Sequence, residues 1–343
     1  MTETSSSLTG LGGIRGARQR SAGPESLVRT TFFDERKRLP IIVEPTRPGV
    51  DLAAWARGHQ DELQDYIRTY GSVYFRGFGM ESPEVFEATA ANLAGENLFG
   101  DYGDLPREAA GEKIFGSTPY PADQTIYFHN ESSHMAHWPM RIFFLCAINA
   151  ETGGETPVLD CREAYRELDP AIREKFETLG LRYTRNFAPG IDVPWQQFFG
   201  TDDQQEVEEK CREAGTDFEW LKGGEQLRIS QYADAVKKHP DTGETVFFNQ
   251  ILLHHPAALP TATRSALLEL LSEEDLPRNC YFGDGSVIPD QTVQHIFDLY
   301  DRIMVAERWS QGDIIMLDNM LCAHARLPFT GPRKTLVAMA RIV

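Results

Sequence analysis

Apolar and polar positions alternate along the chain with two periods, and these divide it into predicted helices and strands. Residues 51–69 place Leu52, Trp55, Leu63, Tyr66 and Ile67 at roughly helical spacing, which predicts an amphipathic helix. GSVYFRGFG (71–79) is an apolar run bounded by glycines and reads as a strand. In SPEVFEATAANLAG, Ser82 stands as N-cap and Pro83 takes the first helical position. RIFFLCAI (141–148) is almost continuously apolar, the pattern of a buried strand. Gly153 and Gly154 then turn the chain into a second strand. Asp160 and Glu163 have capping-box spacing for a helix over 161–168, and Asp169-Pro170 starts another that ends near Gly180. Asp241-Thr242-Gly243 makes a hairpin turn, with VFFNQILLHH as its return strand. Val293, Ile296, Phe297, Tyr300 and Ile303 share one face of a helix within 289–309. Gly312-Asp313 turns into the strand IIMLDN, and KTLVAMARIV (334–343) closes the sheet. Many short strands with helices outside them predict a mostly β fold. Its core is a double-stranded β-helix, or distorted jelly roll, under a helical cover.

Two stretches break the pattern. Residues 1–25 are rich in Ser, Gly and Thr, have little to bury, and read as a disordered tail carrying Arg15, Arg18 and Arg20. Order is expected from near Ile41, in the extended IIVEP, within one domain spanning 26–343. Residues 186–224 are the least regular part. NFAPGIDVPWQQFFG leads into the acidic DDQQEVEEKCREAG, which predicts a solvated helix. As an insertion between core strands, 186–224 is placed to act as a lid over an active site.

Composition narrows the class. The chain has 343 residues, 41% of them apolar and 25% charged, as in a globular protein with a large core. A net charge of −17 argues against nucleic acid or an anionic membrane as partner, since both recruit clustered Lys and Arg. No apolar run approaches the roughly 20 residues of a membrane span. The N-terminus lacks the apolar core of a signal peptide, so a cytoplasmic location is expected. Five scattered cysteines (146, 161, 211, 280 and 322) without C-x-x-C spacing read as reduced thiols.

The stretch FHNESSHMAHWPM (128–140) carries the candidate chemistry. In a strand, His129 and Glu131 project from one face, with Asn130 on the other. One imidazole and one carboxylate so placed can share a metal ion, and a distant third ligand is then needed; His324 is the candidate. Two His and one carboxylate on one face of an octahedron leave three positions open, the ligand set of non-haem Fe(II) oxygenases. His134 and His137 do not form a zincin motif, because the His129–His134 spacing is five and not four. His254 and His255, if in a strand, face opposite ways and cannot jointly chelate.

Four further blocks accompany that motif: STPYPADQTIYFHNE (117–131), WPMRIFFLCAINAETGGETPVLD (138–160), TGETVFFNQ (242–250) and GDIIMLDNMLCAHARLPFTGPRK (312–334). Together they resemble the taurine dioxygenase-like (clavaminate synthase-like) family of Fe(II)/2-oxoglutarate-dependent oxygenases, over roughly residues 70–343. They are nearest to the branch of syringomycin-type hydroxylases of peptide natural-product pathways. The resemblance implies Fe(II) held by His129, Glu131 and His324, with 2-oxoglutarate and O2 as cosubstrates. It implies Arg333, nine residues after His324, as the cation for the far carboxylate of 2-oxoglutarate, with Lys334 as the alternative. Thr156 falls where the family places a hydroxyl on that carboxylate. Asn249, His134 and Arg326 are candidate substrate contacts, and Gln250 shares the segment of Asn249. Val337 stands where taurine enzymes carry a sulfonate-binding Arg, which disfavours a taurine-like substrate, and an intact Glu131 disfavours halogenation. The implied reaction is hydroxylation of an unactivated C–H bond of a small molecule, an amino acid free or tethered to a peptidyl carrier protein. Desaturation, epoxidation and cyclisation are alternatives from the same chemistry. A zinc hydrolase using the same three ligands, or a non-catalytic scaffold, are readings from other classes.

Overall fold

The computed structural model describes residues 26–80, 82–100, 110–117, 120–188, 190 and 192–343. The tail expected over 1–25 lies outside them. The largest sheet has seven strands, in the spatial order β1 (Val28–Phe32), β2 (Ile41–Pro45), β3 (Ser72–Phe75), β15 (Ile314–Asp318), β6 (Pro139–Ile148), β18 (Lys334–Ile342) and β4 (Phe115–Gly116). The pair β2–β3 is parallel and the others are antiparallel. Between β15 and β18, strand β6 is buried from Pro139 to Cys146, as its apolar run predicts. A three-stranded sheet places β16 (Cys322–Arg326) between β5 (Ile126–His129) and β8 (Val158–Asp160). A four-stranded sheet follows the order β10 (Asp217–Leu221), β11 (Gln226–Ala233), β9 (Leu181–Phe187) and β14 (Arg278–Phe282). Two small pairs remain: β12 (Val236–Lys238) with β13 (Thr245–Phe247), and β7 (Thr152–Gly153) with β17 (Phe329–Thr330). The architecture is mostly β with flanking helices, and the sheets stay separate as hydrogen-bonded units.

Helices α1 (Leu52–Gly58), α2 (Gln60–Tyr70) and α3 (Pro83–Ala94) cover one face of the seven-stranded sheet. Leu52, Trp55, Leu63, Ile67, Phe86 and Leu93 pack there against strand residues such as Val73, Phe143 and Leu336. The opposite face sends Tyr74, Ile142, Phe144 and Val337 toward Val158 and Cys322 of the three-stranded sheet. Helices α4 (Cys161–Glu167), α5 (Pro170–Leu179), α8 (Ile251–His254) and α10 (Asp290–Ile303) contribute to a third cluster around Phe176, Phe247 and Tyr300. Helices α6 (Trp195–Phe199) and α7 (Gln204–Glu213) seat Trp195, Val207 and Cys211 on Phe187, Leu227 and Ile229 of the four-stranded sheet. Helix α9 (Thr261–Leu270) buries none of its own residues. Among the described residues no helix is long and apolar enough to cross a membrane. All five cysteines are free and buried.

Several helix signals place their elements as expected. Ser82 accepts from Val85 N to cap α3, Asp160 caps α4 through Arg162 N and Glu163 N, and Asp169 caps α5. Other expectations need correction. Order begins before Ile41, because β1 pairs with β2 from Val28 opposite Pro45 to Phe32 opposite Ile41. The helix over 51–69 is two helices, broken at His59, whose ring stacks on Trp55 at 4.8 Å. The return strand expected to run to His255 ends at Phe247, and α8 follows. There Asn249 Oδ1 accepts from Ile251 N at 3.0 Å, a local bond that competes with a strand ladder. Residues 186–224 are not irregular throughout: they hold the end of β9, then α6, α7 and β10.

A buried charge cluster ties these layers together. The Arg141 Nη1 donates to Asp318 Oδ2, and His239 Nε2 donates to the same oxygen at 3.0 Å. The proton is on Nε2 because His239 Nδ1 accepts from Asp241 N and Thr242 N. Asp318 Oδ1 takes Met320 N and Leu321 N, each at 3.0 Å, and so shapes the turn from β15 into β16. Burial alone would raise the Asp318 carboxyl; the Arg141 charge and the His239 and backbone donors outweigh it and hold it below the usual carboxylate range. Asp318→Asn leaves Arg141 buried without its counter-charge, so we expect a loss of about 3–5 kcal/mol of stability near neutral pH. A depressed folded-state value means this stabilisation is present above about pH 4 and is lost as the pH falls through the folded-state pKa. Urea titrations of both proteins across that window should show the gap closing on the acid side; a gap of constant size would show that Asp318 titrates alike in both states.

Candidate metal centre and its cavity

Register brings the two histidines together. On the neighbouring strands β5 and β16, His129 and His324 are paired directly, with ring centroids 4.3 Å apart. His324 is also paired with Val158 across the other edge of β16, and Phe144 packs on its ring at 4.9 Å. His129 Nδ1 meets the Tyr127 carbonyl oxygen at 2.8 Å. A carbonyl can only accept, so Nδ1 carries the proton and the Nε2 lone pair faces the cavity.

Glu131 arrives differently from the strand alternation expected of it. Strand β5 ends at His129, and Glu131 sits in the turn that follows. Two buried asparagines hold that turn. Asn319 Oδ1 accepts from Glu131 N at 2.8 Å, while its Nδ2 donates to the carbonyls of Glu131 and Pro139, each at 2.9 Å. Asn130 Nδ2 donates back to Asn319 O at 2.7 Å, and Asn130 Oδ1 accepts from Asn249 N at 3.1 Å. Ser132, at φ 54°, then takes the left-handed backbone that the tight turn requires. The result places a Glu131 carboxylate oxygen 3.9 Å from His129 Nε2.

His129, Glu131 and His324 each offer one ligand atom, and these atoms lie within 4.8 Å of one another. Ligand atoms at right angles around an ion with bonds of about 2.1 Å are roughly 3 Å apart, so a small inward turn of the side chains closes the set on one ion. Two imidazoles and one carboxylate suit a divalent transition metal. The residues fit such an ion.

The three line a cavity of about 590 Å³. Arg333 and Thr156 line it too, whereas Lys334, the alternative cation, is exposed. Arg333 Nε donates to Gly154 O at 3.0 Å, and its Nη2 reaches Thr156 Oγ1 at 3.5 Å. Gly154 has φ 74°, and a Cβ there would lie 3.0 Å from Arg333 Cδ and Nε, so the glycine makes room for the guanidinium. Burial, helped by the neighbouring Arg326 charge, pushes Arg333 down to about 10, which leaves it cationic at neutral pH. Arg326 is buried and donates to the carbonyls of Tyr120, Pro121 and Gln124. Both guanidiniums pack on Phe329.

His134 lines the cavity beside Tyr183 and His254, with ring centroids 5.8 and 5.6 Å away. Asn249 is not among the lining residues. It is buried, with Nδ2 on Tyr300 Oη, and its neighbour Gln250 lines the cavity instead. Farther out, the walls come from β9, β11 and β14 (Arg185, Ile229, Gln231 and Arg278) and from α6 and α7 (Phe198, Phe199, Lys210 and Cys211). No local motif marks Arg185, Arg278 or Gln231, since strand pairing alone brings them to this wall. Val337, also in the lining, leaves an apolar surface there.

Comparison with known proteins follows this geometry. The family model "Taurine catabolism dioxygenase TauD, TfdA family" matches residues 36–340. The dapdiamide synthesis protein DdaC of Enterobacter agglomerans is 35% identical over 277 residues, 81% of this chain and 84% of that protein. A clavaminate synthase-like protein of Arabidopsis thaliana is 25% identical over 325 residues, 90% of this chain and 95% of that one. PvcB of Pseudomonas aeruginosa shares the fold, with a TM-score of 0.54 at 15% identity and 93% of each chain covered.

Asn319→Ala strips a buried N–H and two carbonyls of their partner around Glu131. We expect Fe(II) affinity to fall about 10–100-fold, as for loss of an outer-shell ligand support. Anaerobic equilibrium binding of Fe(II) checks this; unchanged affinity would mean the turn holds Glu131 without the asparagine.

Proposed function

This chain belongs to the TauD, TfdA family of Fe(II)/2-oxoglutarate-dependent dioxygenases, and from that premise we propose that it hydroxylates an unactivated C–H bond of an amino acid, free or carrier-bound, in natural-product synthesis. The observation that carries the reading is the convergence of His129, Glu131 and His324 on one point of a cavity that also holds Arg333. DdaC, the dapdiamide synthesis protein, supports the biosynthetic setting by its identity over four-fifths of the chain.

In this reading His129, Glu131 and His324 hold Fe(II). Bound there, iron with 2-oxoglutarate and O2 supplies an oxidant for the C–H bond, with succinate and CO2 as co-products. Arg333 takes the far carboxylate of 2-oxoglutarate as a fork-shaped cation, and Thr156 adds a hydroxyl donor. The Tyr127 carbonyl fixes the His129 tautomer, and Phe144 fixes the His324 ring. His134, beside Tyr183 and His254 in the lining, contacts the substrate, while Arg326 anchors the 120–124 loop at the wall and Asn249 acts from behind, through Asn130. The strands form the distorted jelly roll that carries these groups. Helices α6 and α7 act as the cover that keeps water from the reacting centre. A glutamate ligand occupies the position that a halide would need, so the outcome is oxygen insertion.

Three results check this. His129→Ala, Glu131→Ala or His324→Ala should abolish succinate release at limiting iron; full activity in any one removes that residue from the ligand set. Arg333→Ala should raise the KM for 2-oxoglutarate by roughly two to three and a half orders of magnitude, since a charge that has lost its buried partner costs about 3–5 kcal/mol. Lys334→Ala should change it little, and the reverse outcome would move the cosubstrate site by one residue. Once a mass-spectrometric screen of free and carrier-bound amino acids identifies a substrate, reaction under labelled dioxygen should add one labelled oxygen. A product two hydrogens lighter and unlabelled would replace hydroxylation with desaturation or ring closure.

A further inference from the structure

One acceptor close to the metal-binding turn has no task in the reading above. Gln250 lines the cavity and is buried, with 6% of its surface exposed. Its polar atoms can be followed one by one. The backbone N donates to Tyr183 Oη at 2.9 Å, and the backbone O accepts from Leu253 N at 3.0 Å and from His254 Nδ1 at 3.1 Å. Side-chain Nε2 donates to Asn130 O at 3.0 Å. That leaves Oε1 as the one polar atom of the residue without a partner among the described residues. It is not sealed off from solvent, so it opens on the cavity that the residue lines.

The bond to Asn130 fixes which way this amide points. A carbonyl can only accept, so the nitrogen faces Asn130 and the oxygen faces away from it. Asn130 O belongs to the peptide unit whose nitrogen is Glu131 N, the group that Asn319 holds. Gln250 is therefore fastened one peptide from a proposed metal ligand, and it cannot flip without breaking a buried bond. Donation from Nε2 to a carbonyl also polarises the amide and strengthens Oε1 as an acceptor. Leu253 and Met135 add apolar surface to the same lining, beside the buried Tyr183. When a ligand expels water from such a place, an acceptor left without a donor weakens binding.

The charge of the lining decides the kind of donor. Among the described lining residues the one carboxylate is Glu131, a metal ligand in the reading above. An ammonium set against Oε1 would meet a neutral acceptor and no carboxylate of its own, and burying it so is costly. The guanidiniums of Arg326 and Arg333 line the same cavity and add positive charge. A neutral N–H meets the acceptor without that cost.

We infer that Gln250 Oε1 receives an amide N–H of the substrate, close to the carbon that is oxidised. The substrate is accordingly an amino-acid derivative whose nitrogen is acylated, not one with a free ammonium group. Gln250 is then a specificity residue, which selects what is seated while Oε1 takes no part in holding iron or 2-oxoglutarate. The inference rests on the oxygenase reading, with His129, Glu131 and His324 as the ligands.

The test uses anaerobic protein loaded with Fe(II) and 2-oxoglutarate, and a panel of primary amino acids in three forms. These are the free amino acid, its N-acetyl derivative, and the matching O-acetyl hydroxy acid, in which an ester oxygen replaces the N–H. Equilibrium dialysis read by mass spectrometry gives the affinity of each. The tightest N-acetyl member should bind at least about tenfold better than its ester and its free amine. Gln250→Met keeps the length and removes the acceptor, so it should bring amide and ester together. Gln250→Glu should move the preference to the free amine, which gains a carboxylate partner. Each readout is a ratio within one protein, so a general loss of affinity in a variant cancels. An ester or a free amine that binds the unaltered protein as well as the amide overturns the proposal. So does an absence of binding by every form, or an amide-to-ester ratio unchanged in Gln250→Met. Failure of the iron-loaded, unaltered protein to bind 2-oxoglutarate would instead overturn the oxygenase reading, while the same dialysis still decides the amide preference.

Discussion

A carboxylate that must reach two imidazoles from outside regular structure needs a brace, because no strand ladder holds it. Here the brace is the Asn130–Asn319 pair. Asn319 grips the backbone of Glu131 on both sides, and Asn130 binds back to the carbonyl of Asn319. Each asparagine is fully buried, so every donor and acceptor on it either finds a partner or costs free energy. This makes the arrangement close to all-or-none. The turn after β5, the turn before β16 and the start of α8 are locked to one another, and the side chains facing the cavity inherit that rigidity.

The neighbouring Asp318 extends the same logic with charge. An ion pair this deep is poor evidence for added stability, since desolvating Arg141 and Asp318 offsets much of their attraction. What it does supply is direction. Asp318 has oxygens for Arg141, His239 and two backbone N–H groups, and one geometry satisfies all of them. The turn that launches β16 toward His129 is therefore fixed from beneath by charge and from the side by amide groups.

Much of this was legible in the residues. His129, Glu131 and His324 stood out through spacing and flanking blocks, and the structure places them at one point. Gly153-Gly154 read as a turn, and the structure adds a second task for Gly154, since a Cβ there would press on Arg333. What escaped is informative. The strand assignment for Glu131 failed because period-two alternation is silent about where a ladder stops, and here Asn130 spends its amide on Asn319, Cys322 and Cys161 in place of a neighbouring strand. VFFNQILLHH looks like one apolar strand; Asn249 ends it by capping the next turn. The four-stranded sheet was missed because β10 (DFEWL) and β11 (QLRISQYA) are only half buried, and their pairing is with distant segments. Arg278 shows the same limit, since nothing in RNCYF announces a cavity wall until β9 lies beside it.

The order of strands in the large sheet has a consequence during synthesis. Among the described residues, strand β6 is joined to β3 through β15, β18 covers its other edge, and β5 pairs with β16 alone. All three of these partners lie between Ile314 and Ile342. A nascent chain therefore carries the apolar β6, with both edges open, until that segment clears the ribosome. Translation adds 195 residues after His129 to reach His324, roughly 10–40 s at ordinary elongation speeds. Through that interval an unpaired, apolar strand is an invitation to aggregation. Both sheets are therefore completed only once synthesis has passed Ile342, and His129 meets His324 no earlier than that strand pairing allows.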